Sequence, residues 1–143
     1  MKIDFTFCHT FRVRFSEVDM HGHVFNAVYY TYFDTAISEY CRFLGLDEMI
    51  KIDNARSVFH VIKTAASYHY PIYFDDLIDI YVKISKIGVT SLTFSLEIYR
   101  PMEARLLTCG EVVWVNTDGR TRTKMPISQQ IKDIIIASHT EKQ

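Results

Sequence analysis

Apolar positions recur along this chain with two periods, and the change from one to the other falls near residue 20. From Phe5 to Phe15 the period is two. Phe7, His9, Phe11, Val13 and Phe15 fall on one face and Arg12 and Arg14 on the other, the pattern of a half-buried strand. Ser16 to His23 breaks that alternation, and Gly22 admits a backbone geometry that other residues resist. From Ala27 to Leu44 there is neither proline nor glycine. Val28, Tyr29, Tyr32, Phe33, Ala36, Ile37, Tyr40 and Leu44 recur at steps of three and four, while Thr31, Thr35, Ser38 and Arg42 trace a narrow polar stripe. This predicts a mostly enclosed helix roughly 27 Å long, with Asn26 as its N-cap and Gly45 as its left-handed C-terminal stop.

After a short turn over Asp47 to Asn54, period two returns. Arg56 to Tyr73 is long, β-branched and aromatic, ending near Pro71. Leu77 to Lys86 sets Ile78, Ile80, Val82 and Ile84 against Asp79, Tyr81, Lys83 and Ser85. Thr90 to Tyr99 sets Leu92, Phe94, Leu96 and Ile98 against Ser91, Thr93, Ser95 and Glu97. Turns are expected at Gly88, at Arg100 to Glu103 and at Asp118-Gly119. Arg105 to Asn116 is more continuously apolar, which suggests a central strand. Pro126 suits the first position of a closing helix carrying Ile127, Ile131, Ile134 and Ile135, and the polar last six or so residues are expected to fray. Strand, long helix, four strands and short helix joined by tight turns give an α+β domain with an antiparallel sheet, expected to span residues 1–143.

Composition narrows the function. With 48% hydrophobic and 23% charged residues the chain is globular rather than disordered. A net charge of −1 with no basic block beyond Arg120, Arg122 and Lys124 gives nucleic acid little to bind. Cys8, Cys41 and Cys109 are odd in number and widely spaced, as expected of free thiols in a reducing compartment. Neither a secretory leader nor a membrane span is expected, because Val24 to Leu46 is interrupted by Asp34, Glu39 and Arg42. The expected location is the cytosol.

Candidate chemistry concentrates where the period changes. The run Asp19-x-x-Gly22-His23-Val24-x-Asn26-x-x-Tyr29, entered from an Arg/Phe-bearing strand and followed by the aromatic helix, resembles the 4-hydroxybenzoyl-CoA thioesterase family. Pro71 and Asp76-Leu77 match its pattern too, and the likeness runs from about Thr10 to Ile131. It implies the hotdog fold, a curved five-stranded antiparallel sheet wrapped around a long central helix. It also implies hydrolysis of an acyl-CoA thioester with no cofactor, coenzyme A being part of the substrate. Asp19 matches the family's catalytic aspartate, acting as nucleophile or as general base towards water. Gly22, His23, Val24, Asn26 and Tyr29 would form the substrate and oxyanion region, where unpaired N–H groups at a helix start can polarise a carbonyl. Some relatives carry a histidine where this chain has Asn26, which cannot transfer protons at neutral pH.

The resemblance also points to Lys86 as a coenzyme A phosphate contact. It implies a homodimer or homotetramer with sites between protomers, and Arg56 to Tyr68 is the candidate pairing strand. A non-catalytic acyl-CoA-binding protein of the same fold is the alternative. No dehydratase-type Asp/His motif, no Gly-x-Ser-x-Gly and no cysteine beside a histidine in a nucleophile-like setting is visible. Asp19, His21 and His23 alternate but lack a fourth-ligand signature, so no metal is expected. Tyr29, Tyr30 and Tyr32 read as core or acyl-pocket lining. Glu17 reads as a loop charge, Asp34 as part of the polar stripe, and Lys83, Arg100 and the remaining cations as solvated.

Overall fold

A computed structural model of the chain describes residues 4–51 and 56–140. The order is β1 (Phe7–Arg12), α1 (Val28–Phe43), β2 (Ser57–Tyr68), β3 (Leu77–Ile87), β4 (Ser91–Tyr99), β5 (Thr108–Asp118) and α2 (Gln129–Thr140), with 3-10 turns at Phe15–Glu17 and Asp47–Met49. The strands form one antiparallel sheet in the order β1-β3-β4-β5-β2. α1 packs on one face of it. This is the hotdog architecture that the resemblance implies.

Period two explains the sheet. Ile78, Ile80, Val82 and Ile84 of β3 and Leu92, Phe94, Leu96 and Ile98 of β4 all point inward and are buried. They meet Tyr29, Tyr32, Phe33, Ala36, Ile37, Tyr40 and Cys41 on the buried face of α1. Contact between the layers is close. A Cβ on Gly110 of β5 would lie 2.4 Å from the Phe33 ring, so glycine lets helix and sheet approach. At the other flank the Phe11 and Tyr32 rings meet edge to face at 4.7 Å. α1 ends as expected: Gly45 has φ +73, and the amides of Gly45 and Leu46 donate to Arg42 and Cys41 carbonyls.

Several boundaries differ from expectation for identifiable reasons. β1 stops at Arg12 because the chain tightens into the 3-10 turn, and this puts Phe15 78% exposed instead of on the inner face. Asn26 does not cap α1: the capping position falls on Ala27 and has no side-chain hydrogen bond. β4, not β5, is the middle strand, and β5 is one in from the β2 edge. Pro126 precedes α2 by three residues. Ser128 Oγ accepts the Ile131 amide at 3.3 Å and starts that helix instead, which then continues to Thr140 rather than fraying from residue 138. The turn expected to run on to Asn54 lies, from residue 52, outside the described residues, as do the last three residues.

Candidate active site

The break in periodicity is a miniature hairpin. Val18 and Val24 pair, the Asp19 amide donates to the His23 carbonyl at 3.0 Å, and the Gly22 amide donates back to the Asp19 carbonyl at 3.0 Å. Gly22 sits at φ +81, which only glycine adopts without strain. The hairpin's returning arm is stitched to the chain before β3: the Val24 amide donates to the Ile72 carbonyl at 2.7 Å, and His23 pairs with Tyr73.

Glu17 anchors the base of this hairpin. It was read as a loop charge, but it is only 8% exposed. Its Oε1 accepts the Arg14 amide at 2.7 Å and the Tyr32 hydroxyl at 3.0 Å, and its Oε2 accepts the Arg14 guanidinium. Burial alone would push the Glu17 carboxyl pKa up. The hydrogen bonds from Arg14 and Tyr32, with the guanidinium charge, outweigh burial and hold it below the usual value. The same contacts, after burial, raise the Tyr32 hydroxyl. The Glu17 carbonyl also accepts the Phe25 amide at 3.0 Å, so one residue ties the turn after β1, the hairpin and α1 together.

Asp19, at the hairpin's tip, is held differently. Its Oδ1 accepts the His21 amide at 2.8 Å, which fixes the carboxylate's orientation, and its side chain remains 25% exposed. It opens on a cleft of about 360 Å³ at the start of α1, lined also by His23, Val24, Phe25, Asn26, Tyr29 and Tyr68 to Pro71. Of the expected site residues, Asp19, His23, Val24, Asn26 and Tyr29 meet there. Gly22 shapes the turn without lining the cleft. Among the described residues, the amides of Asn26 and Ala27 are not engaged by any acceptor, while that of Val28 donates to the Phe25 carbonyl. Unengaged N–H groups at a helix start are of the kind that can polarise a carbonyl oxygen.

Lys86 is not at this cleft. It lies at the far end of β3 beside the irregularity between Ile84 and Lys86, nine residues from Leu77, or about 30 Å along the strand. Arg100 was read as solvated, yet it is half-buried. Its guanidinium bonds Asp76 at 2.7 Å and the Pro71 carbonyl at 3.1 Å, and so supports the cleft wall. Tyr30 is exposed, whereas Tyr29 and Tyr32 are buried.

The sequence reading missed Tyr68, His69 and Tyr70, which come to the cleft from the end of β2, more than 40 positions after Asp19. The Tyr68 ring meets Tyr29 edge to face at 4.8 Å and its hydroxyl donates to the Asn26 carbonyl at 3.3 Å. No local pattern carries that juxtaposition; the Pro71 match is the only nearby signal. His69 Nε2 also lies 3.6 Å from Cys109 Sγ, a contact between residues forty positions apart.

A family profile described as the thioesterase superfamily matches residues 21–105, more than half of the chain. The chain belongs to the thioesterase superfamily. The match begins two residues after Asp19, so membership rests on the glycine-histidine turn, α1 and the first strands after it. No curated protein matches in a sequence search. Among solved structures, a 1,4-dihydroxy-2-naphthoyl-CoA thioesterase from Synechocystis is 17% identical, with a TM-score of 0.83 over 91% of this chain and 95% of its own. The protein SAV2348 from Staphylococcus aureus, solved in complex with CoA, is 17% identical, with a TM-score of 0.85 over 96% and 85%. A gentisyl-coenzyme A thioesterase is 20% identical, with a TM-score of 0.79 over 90% and 99%. At these identities the likeness establishes the superfamily's fold. Among the described residues no helix is long and apolar enough to cross a membrane.

Proposed function

We propose that this member of the thioesterase superfamily hydrolyses acyl-CoA thioesters and that Asp19 carries the reaction. The observation behind this reading is a carboxylate held at a cleft mouth beside unengaged N–H groups at the start of a buried helix. A thioester carbonyl is electrophilic because sulfur donates little resonance, so one oriented carboxylate and two amide donors suffice. The amides of Asn26 and Ala27 polarise the carbonyl oxygen. The Asp19 carboxylate then either attacks the carbonyl carbon, expelling the CoA thiolate and leaving an anhydride for water, or takes a proton from the attacking water. Tyr29 and Tyr68 form an aromatic wall for the acyl group, and Tyr29 stays protonated because burial raises its hydroxyl pKa.

The aromatic wall supports aroyl or medium-chain acyl groups. The structural neighbours whose names specify naphthoyl and gentisyl thioesters lend weight to aroyl groups as the first choice. No other cofactor enters this scheme. A second copy of the chain is the proposed partner. β2 is a twelve-residue edge strand with Val61 and Ile62 54% and 60% exposed, a surface suited to edge-to-edge pairing. Tyr68 ends that strand, so pairing would bring a neighbouring protomer towards the cleft.

A thiol-release screen over aroyl, short, medium and long acyl-CoAs tests the reading. Steady release with at least one class, abolished in Asp19→Asn, is expected. Binding by calorimetry with no release from any acyl chain would instead make the chain an acyl-CoA-binding protein. Label found in the Asp19 carboxylate after single turnover in ¹⁸O water would establish the anhydride route with water attacking the aspartyl carbonyl, since a general base exchanges no oxygen, and trapping of the anhydride by hydroxylamine covers attack at the acyl carbon.

A further inference from the structure

The hairpin brings together three side chains whose chemistry the proposed hydrolysis does not exhaust. Asp19 and His23 are paired positions of its two arms, and His21 occupies the turn between them. Asp19 Oδ1 lies 3.7 Å from His21 Nδ1, and Oδ2 lies 3.9 Å from His23 Nδ1. The two imidazoles are nearly parallel, 16° apart, with centroids at 5.7 Å. One donor atom from each residue lies within 4.8 Å of the other two.

We propose that Asp19, His21 and His23 form a binding site for a zinc-class divalent cation, and that the bound ion switches the site off. Metal–ligand bonds of about 2.0–2.1 Å in a tetrahedron put neighbouring donors about 3.3 Å apart. The two Asp19–imidazole distances involve different carboxylate oxygens; with one donor atom from each residue the three lie within 4.8 Å of one another, about 1.5 Å wider than that value, and rotation of the exposed His21 ring and of the Asp19 carboxylate would close the gap. The absence of a fourth protein ligand is no obstacle, because three-donor zinc sites keep a solvent position open. Two of the three ligands, Asp19 and His23, also line the cleft, so an ion held there would sit at its edge. Two imidazoles and one carboxylate select zinc, cobalt, nickel or copper over magnesium and calcium, which prefer all-oxygen shells. The hairpin is preformed by its backbone hydrogen bonds, so ion capture requires only side-chain rotation.

The consequence for turnover follows from the carboxylate. An Asp19 oxygen bound to the ion is available neither to attack a carbonyl nor to accept a proton from water. The inhibitory part rests on the proposed role of Asp19 in hydrolysis; the binding part does not.

The test is a titration of the full chain with Co²⁺ followed by its visible d–d bands, and with Zn²⁺ by calorimetry, with Mg²⁺ as the control ion. One ion per chain is expected, with tetrahedral cobalt bands and no response to Mg²⁺. Affinity should fall at least about tenfold in His21→Ala, His23→Ala and Asp19→Asn alike. His21 is exposed, so its replacement leaves the core intact and keeps the result interpretable. No uptake, uptake unchanged in all three variants, or uptake lost instead in Cys109→Ser would overturn the site. In the thiol-release assay Zn²⁺ should inhibit the wild type reversibly, with recovery on adding a chelator. Inhibition should be weaker in His21→Ala, each protein being referred to its own metal-free rate. Zinc that binds at the site yet raises turnover would overturn the switch.

Discussion

Glu17 and Asp19 stand two residues apart on one hairpin and have opposite environments. Glu17 is buried and receives hydrogen bonds from the Arg14 amide, the Arg14 guanidinium and the Tyr32 hydroxyl. Asp19 accepts the His21 amide, is a quarter exposed and faces a cleft. A carboxylate satisfied by three groups from its own fold has no lone pair to spare for a substrate and acts as a strut. A carboxylate oriented by one donor and left open on the other oxygen is available for chemistry. The hairpin joins the two environments, because the strut fixes the arm that carries Asp19.

The largest effect that bears on this contrast is expected at the tip. Asp19→Asn should lower turnover by about 10²–10⁴-fold while leaving the midpoint of chemical denaturation unchanged. The opposite outcome is expected at the base. Glu17→Ala should destabilise by about 1–3 kcal/mol in urea denaturation, because the Tyr32 hydroxyl and the Arg14 amide lose their acceptor. Turnover at saturating stability should fall less than in Asp19→Asn. Equal losses of activity and stability in both variants would erase the distinction.

A smaller effect is expected with pH. The Glu17 carboxyl is held below its ordinary 4.5 in the folded chain, so its contribution is fully present above that value. It should disappear as pH falls through the lower folded value. Wild-type stability measured by denaturation should therefore drop on acidification below about pH 4.5, and the slope should be shallower in Glu17→Gln. The smallest effect concerns thiols. Burial raises the Cys41 thiol to about 12, whereas Cys8 is exposed. Iodoacetamide at neutral pH should label Cys8 in the folded protein and reach Cys41 only on unfolding, as peptide mapping would show.

Much of this contrast was legible in the sequence and some was not. Period two located β3 and β4 almost to the residue, and steps of three and four marked the buried face of α1, because side-chain direction follows backbone period. Gly22 and Gly45 were legible because their positions demand positive φ. Asp19 was legible as a candidate through the motif around it, and the structure places it at the cleft. The role of Glu17 was not, since its partners include Tyr32, fifteen residues away and otherwise indistinguishable from its neighbouring tyrosines. Tyr68 and His69 were missed for the same reason. Their approach to the cleft depends on the pairing of β2 with β5, a long-range contact without a local signature. Lys86 lies near the end of β3 opposite Thr93 and outside the lining of the cleft.

On the proposed mechanism the Asp19 carboxylate performs the reaction rather than merely shaping the turn. Acyl-CoA affinity by calorimetry and thiol release, measured on one preparation of Asp19→Asn, test it most directly. Affinity should stay within about threefold of wild type and release should fall by about 10²-fold or more. Release at the wild-type rate from a variant that still binds would contradict it.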